Sequence, residues 1–317
     1  METMKSDANA LMAYYSGPNE KGAILYGPHS GAELRMPPWS RLEQPGVILT
    51  ITAYFLLFQM FGALVRTHTW LNHTGFRKYR LQNLTVCIVH SVITGCWAVS
   101  SLLLLRDEML HHVIHYVSPI IVHLPMISIA YFAYDITDML RHEISRWTIE
   151  LFMHHAAAIF VLISAVLPEK FLLYAHWALI MEFNSIFLHL RSIMQLSGEA
   201  ERLPGCYRLV KSLNIATLIT CRFCVQFWQL MWAFNNYRLM HPFYVCIAGF
   251  GSLFFLASNT ILFSRILTTD GWLCDCAIGG AASGRYEVDV ENCRKDESFS
   301  DSQEDGIVML VGDNKDI

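Results

Sequence analysis

The chain has 317 residues, of which 54% are hydrophobic and 16% charged. A soluble domain is roughly 45–50% apolar and about 25% charged, so this composition points to lipid as the solvent and excludes disorder over the middle of the sequence. The formal net charge of −4, from 23 basic and 27 acidic residues, excludes a basic nucleic-acid-binding surface.

Residues 1–46 are polar, with Gly17-Pro18, Gly27-Pro28 and Pro37-Pro38 reading as turns or extended chain. They hold no apolar run suited to a cleaved signal peptide, so the first helix is expected to direct insertion itself. A membrane-crossing helix needs about 20 mostly apolar residues. Seven runs qualify: 47–65, 84–105, 117–140, 150–167, 171–194, 209–234 and 243–266. The third is the weakest, because Asp135 and Asp138 fall at its far end. The fourth and fifth are joined by only Pro168-Glu169-Lys170, a tight helical hairpin. The expected fold is an all-α multi-pass membrane protein with about seven transmembrane helices.

Arginine and lysine gather in alternate loops: Arg66, Arg77, Lys78 and Arg80 in the first, Arg141 and Arg146 in the third, and Arg191, Arg202, Arg208 and Lys211 in the fifth. Such loops stay cytoplasmic, which places the amino terminus outside and the carboxyl terminus in the cytoplasm. The glycosylation sequons Asn72-His-Thr74 and Asn83-Leu-Thr85 then lie on the cytoplasmic side or at the membrane edge and go unused. Of nine cysteines, Cys87, Cys96, Cys221, Cys224 and Cys246 lie in apolar runs, and Cys206, Cys274, Cys276 and Cys293 on the cytoplasmic side, so free thiols are expected. Residues 268–317 read as a disordered acidic tail, densest at Glu297–Asp305. Cys274 and Cys276, just past the last helix, are palmitoylation candidates, with unmodified thiols as the other reading.

Ionisable groups at membrane depth are costly and mark function. Here they are His90, His123, His154, His155, His176, Glu182, His189 and Arg222, with the polar Asn184 and Asn214 among them. Helical spacing groups Glu182, Ser185 and His189 on one face, Tyr131, Asp135, Asp138 and His142 on another, and Arg222, Gln226 and Gln229 on a third. Three polar stripes are expected to share one internal site. His154 and His155 are adjacent and point about 100° apart, so one is expected to face a cavity and the other a neighbouring helix. A neutral imidazole there can act as general base for an amine or hydroxyl attacking an acyl group; the other reading is interhelical hydrogen bonding alone. Arg222 needs a partner, and Glu182 on the neighbouring helix is the expected one, either as a structural ion pair or beside an arginine that holds a lipid phosphate.

His111, His112 and His115 form a loop cluster with only Asp107 and Glu108 beside them, so no metal is expected. No phosphate-binding glycine loop, serine elbow or zinc-protease helix is present, and no cofactor is expected.

Four segments carry a resemblance: Leu84–Ser91, Tyr134-Asp135-Ile-Thr-Asp138-Met, Glu150-Leu-Phe-Met-His154-His155, and Glu182-Phe-Asn184-Ser-Ile-Phe-Leu-His189-Leu-Arg191. Over residues 77–267 the chain resembles the TLC domain of translocation-associated, ceramide synthase and neuronal-lipofuscinosis membrane proteins, with six of the seven helices inside the domain. It is most similar to the animal branch associated with plasma-membrane phospholipid composition and fluidity. The resemblance implies a regulator that limits fluidising polyunsaturated phospholipids, with membrane lipids as partners and the plasma membrane, or alternatively the endoplasmic reticulum, as its location. The alternative is an acyl-CoA-dependent acyltransferase of the ceramide-synthase type using His154 and His155. Ceramide synthases follow that pair with two aspartates, whereas the comparable stretch here, His176 to Glu182, has neither. Glu182 or Asp135 would orient the base or bind substrate, and His90, Asp138, His176, Asn184, His189 and Arg222 would line the cavity. A transporter or receptor is prompted only by helix count; broken helices, expected of a transporter, are not visible in the sequence.

Overall fold

The computed structural model describes residues 24–25, 45–142 and 146–270. The acidic tail with Cys274 and Cys276, and most of residues 1–46, lie outside the described residues. Helix α1 (Pro45–His68) starts on a proline, whose missing N–H costs nothing at that position, and ends on Arg66 and His68, which favour the negative end of the helix dipole. Helix α2 (Gly75–Leu104) begins well before the apolar run at 84. The hydropathy of the sequence falls at Arg77, Lys78 and Arg80, but arginine and lysine are good helix formers and the backbone continues through them.

A loop with the short helix α3 (Arg106–His111) leads to α4 (Pro119–His142). In that loop Tyr116–Val117 (β2) pairs antiparallel with Ile24–Leu25 (β1), the one short ladder among the described residues. Helix α4 was the weakest expected span, yet 61% of its apolar window is buried, more than in any other long helix described. Its aspartates follow from that position: it packs inside the bundle, where polar partners are available. Helix α5 (Arg146–Val166) returns through a tight turn in which Glu169 and Phe171 take left-handed φ of 51° and 59°. The expected helical hairpin is thus present.

Five helices are long and apolar enough to cross a membrane without a break: α1, α2, α4, the Thr148–Val166 portion of α5, and α11 (Pro242–Thr269). The runs at 171–194 and 209–234, expected as single helices, are each built from pieces. The first is α6 (Leu172–Leu179) and α7 (Met181–Ser197), parted at Ile180, where the turn tightens while φ and ψ stay right-handed at −59° and −27°. Beyond the small helix α8 (Glu199–Arg202), the second is α9 (Pro204–Thr217), a π-helical stretch over Leu218–Cys224, and α10 (Val225–Asn236). Counting these two composite segments, the chain runs seven times between a basic end and an opposite end. Apolar side chains such as Leu49, Met60, Phe227, Phe234, Phe250 and Leu253 remain exposed on the outside, as a lipid-facing shell requires.

One crossing positions the interior. A Cβ placed on Gly95 of α2 would lie 2.6 Å from Phe183 N and 2.8 Å from Glu182 C. The two backbones therefore meet directly, and Ser91, one turn before Gly95, donates a 2.9 Å hydrogen bond to Glu182 Oε2. Because the obstructing atoms are backbone, a side chain cannot rotate to make room. Gly95→Ala is expected to destabilise the protein by about 1–3 kcal/mol, the range for overpacking, with a lower midpoint in a thermal unfolding assay in detergent; an unchanged midpoint would contradict the close crossing.

Candidate functional site

An apolar cavity of about 90 Å³, counted as space for the centres of water-sized molecules, lies between α5, α6, α10 and α11. A single water needs roughly 10–15 Å³ on that measure, so the cavity has room for a ligand larger than water. Its α5 wall runs from His154 to Ala165 and its α11 wall from Tyr244 to Phe255. Eleven residues of helix rise about 16 Å, close to half of a roughly 30 Å hydrocarbon core.

Among the described residues His154 and Glu182 are its histidine and its acid, and no lysine or arginine lines it. The His154 ring stands edge-on to Phe255 at 5.1 Å between centroids. Glu182 is buried and holds Ser91, while His90 Nδ1 lies 3.9 Å from Glu182 Oε2, beyond hydrogen-bond reach. Gln226 and Gln229 complete the polar part of the wall. Gln229 Nε2 donates to Tyr174 O at 3.1 Å and Tyr174 Oη donates to Gln229 O at 3.2 Å, a reciprocal tie between α6 and α10.

The two adjacent histidines diverge, as their helical angle requires. His155 is buried against α4, with its ring stacked on Phe132 at 4.9 Å and Nδ1 3.3 Å from Asp135 Oδ2, off the line of a hydrogen bond. Asp135 accepts from Asn83 Nδ2 at 2.9 Å. The same amide reaches Asp138 at 3.4 Å, and Asp138 accepts from Arg66 Nη1 at 2.7 Å. This network ties α1, α2, α4 and α5 near the basic end. It also buries Asn83, the asparagine of the Asn83-Leu-Thr85 sequon.

Arg222 lies in the π-helical stretch and corrects the expected pairing. Among the described residues it makes no ion pair with Glu182. Instead Nε donates to Asn184 Oδ1 at 2.6 Å, Nη1 to Asn259 Oδ1 at 2.9 Å and Nη2 to Ser185 Oγ at 2.8 Å. Asn184 in turn donates to Asn214 and Thr217, and Asn259 Nδ2 donates to Gln226 Oε1. The guanidinium is engaged on three sides by neutral oxygens, so it holds helices together and does not line the cavity.

The expected single polar site is therefore divided. Of the residues singled out from the sequence, His154, Glu182, Gln226 and Gln229 line the cavity; His90, Asp135, Asp138, His155, Asn184, His189 and Arg222 do not. His176 is also elsewhere: Nε2 meets Ile121 O at 2.9 Å and Nδ1 meets Ser101 Oγ at 3.2 Å, so both nitrogens join α6 to α2 and α4. The stripes fail to converge because α4 turns its aspartates toward α1 and α2 while the π-helical turn sends Arg222 toward α7 and α11. Sequence reasoning missed Asn83 and Asn259. Each is a polar residue at or beside an apolar run, the same signal that exposed the histidines. Among the described residues no group of three or more His, Cys, Asp or Glu is arranged to hold a metal ion.

The profile of the TLC domain matches residues 80–268, more than half of the chain. The chain belongs to the TLC domain family. TLC domain-containing protein 2 of Danio rerio is 31% identical over 194 residues, covering 61% of this chain and 77% of the relative. TLC domain-containing protein 1 of Gallus gallus is 31% identical over 225 residues, 67% of this chain and 84% of the relative. TLC domain-containing protein 2 of Homo sapiens is 27% identical over 226 residues, 71% of this chain and 84% of the relative. No solved structure matches this chain. The matched TLC region contains the whole α5, α6, α7 and α10 wall of the cavity and nearly all of α11.

Lysine at 222 would keep the charge but cannot serve three oxygens in one plane. Arg222→Lys is expected to cost this TLC-family protein at least about 1.5 kcal/mol, the value of one hydrogen bond to a charged group. The readout is a lowered unfolding midpoint, whereas an unchanged midpoint would remove Arg222 from its structural role.

Proposed function

We propose that this TLC-family protein sets the acyl composition of membrane phospholipids, limiting the fluidising polyunsaturated species, by taking a lipid acyl chain into the cavity between α5, α6, α10 and α11. The observation that carries the reading is an apolar cavity at membrane depth, walled by stretches of α5 and α11 that each rise about 16 Å, with His154 and Glu182 in its lining. Pockets of this kind, apolar with a few convergent polar groups, are where proteins hold ligands, and the ligand available at that depth is a hydrocarbon chain. The proposal extends to location: the plasma membrane, with the endoplasmic reticulum as the alternative, the amino terminus outside and the carboxyl terminus cytoplasmic.

The position of His154 favours one second reading, acyl transfer from acyl-CoA. In that reaction the neutral imidazole takes the proton of an attacking hydroxyl or amine as the new ester or amide bond forms. The thioester bond breaks, and the proton is passed to the departing CoA thiolate. His155 faces Asp135 and α4, so it supports the shape of the wall in either reading.

Phospholipid profiles of cells lacking the protein and re-expressing it test the proposal. Wild type is expected to lower the polyunsaturated fraction and His154→Ala to return it to the level of cells without the protein; equal profiles for wild type and His154→Ala would refute the role of the cavity. Purified protein supplied with labelled acyl-CoA and lysophosphatidylcholine or a long-chain amine separates the readings, because only the second forms an acylated product.

A further inference from the structure

We propose that Gly251 is a specificity-determining residue of the cavity: by carrying no side chain it keeps open the passage along which a single unbranched hydrocarbon chain lies. The inference rests on the reading that the cavity takes an acyl chain.

Glycine in a helix interior costs about 0.8–1.0 kcal/mol relative to alanine, and two glycines of the bundle show what offsets that cost. A Cβ on Gly62 would overlap the Tyr134 hydroxyl, and one on Gly95 would strike the backbone of α7. Neither explanation holds at Gly251. Its φ lies outside the left-handed region, and a Cβ there would meet only Val161 Cγ2 at 3.8 Å, an ordinary contact. Neither the backbone nor helix packing requires glycine at this position. What its absent side chain leaves is volume in the cavity, which Gly251 lines.

The surroundings agree. Ala248 and Ser252 flank Gly251 on the α11 wall, and Ala158 of α5 and Ala175 and Ala178 of α6 belong to the same lining, so several small residues share the wall with larger ones such as Ile247 and Phe255. With no lysine or arginine along the wall, a phosphate or carboxylate head group would find no counter-ion inside. Arg222 cannot supply one, since its donors hold Asn184, Asn259 and Ser185. The passage therefore suits an uncharged chain, with the charged head of the same lipid left outside the cavity. Gly249, two residues away on the same helix, supplies a control: a Cβ there meets nothing within 4 Å, and it does not line the cavity.

The test uses the full-length protein in nanodiscs containing a phosphatidylcholine whose saturated chain ends in a photoreactive diazirine, with labelled residues mapped by mass spectrometry. Wild type is expected to be labelled at cavity residues such as Val161 and Ala248. Gly251→Leu is expected to lower that labelling about tenfold, equivalent to 1.4 kcal/mol, while Gly249→Leu, with the same change in helix propensity, keeps it. Labelling of Gly251→Leu at the wild-type level would overturn the assignment of Gly251 alone. Failure of wild type to be labelled at cavity residues would overturn the acyl-chain reading beneath it. If Gly251→Leu does not fold, Gly251→Ala decides: its Cβ is sterically accommodated, and a smaller but measurable fall is expected, with no change counting against the proposal.

Discussion

The guanidinium of Arg222 joins three segments: α7 through Asn184 and Ser185, α11 through Asn259, and its own π-helical stretch. In hydrocarbon there is no water to receive the donors of a buried arginine, and a charge at the centre of a span costs about 2.5–3.5 kcal/mol or more. The oxygens that meet it are neutral. That choice frees the one carboxylate nearby: Glu182 is held by Ser91 across the α2–α7 crossing and faces the cavity. Had Arg222 and Glu182 closed on each other, the cavity would have lost its acid and α11 one of its polar attachments to the bundle.

The attachment of α11 is uneven along its length. Gln226 donates to Ser252 O at 2.8 Å before its midpoint, and its later half is fixed by Asn259 to Gln226 and Arg222 and by Arg265 to Glu150 at 2.7 Å. Asp270, just past its end, receives Arg191 and Lys211. Its first half meets the bundle through rings, Tyr244 on Phe171 and Phe243 beside Phe160. Polar ties are directional, whereas contacts between apolar surfaces in lipid have little hydrophobic driving force behind them. The cavity lies beside the first half of α11, between those rings and the tie from Gln226 to Ser252.

Much of this was legible in the sequence, and for identifiable reasons. The spans could be read because hydrocarbon demands long apolar runs, and the divergence of His154 and His155 follows from the helical angle alone. The histidine that would face the cavity was not legible, because helical phase gives relative directions but not the neighbours. The breaks at Ile180 and over Leu218–Cys224 left no proline or glycine to mark them; each depends on a tertiary contact, the first beside Gly95 and the second around Arg222. His176 looked like Glu182 in sequence, an ionisable group in an apolar run. Only the positions of Ile121 O and Ser101 separate a structural histidine from a group free to face a cavity.

The cavity itself was the least legible feature, because its wall is written in the same residues as the lipid-facing shell. Ala158, Ala178 and Ala248 read as ordinary transmembrane residues, and so do Leu253 and Phe250 on the outside of α11. What distinguishes the two faces is what they meet. Outside, large side chains meet a fluid that conforms to any shape. Inside, neighbouring helices are fixed, so small residues on facing walls leave space that the protein cannot collapse without moving a helix held by Arg222, Asn259 and Gln226. Empty space of that kind forfeits dispersion contacts on every side, so a chain that fills it is favoured by contact alone. That preference belongs to the shape of the wall and is independent of whether His154 performs any chemistry.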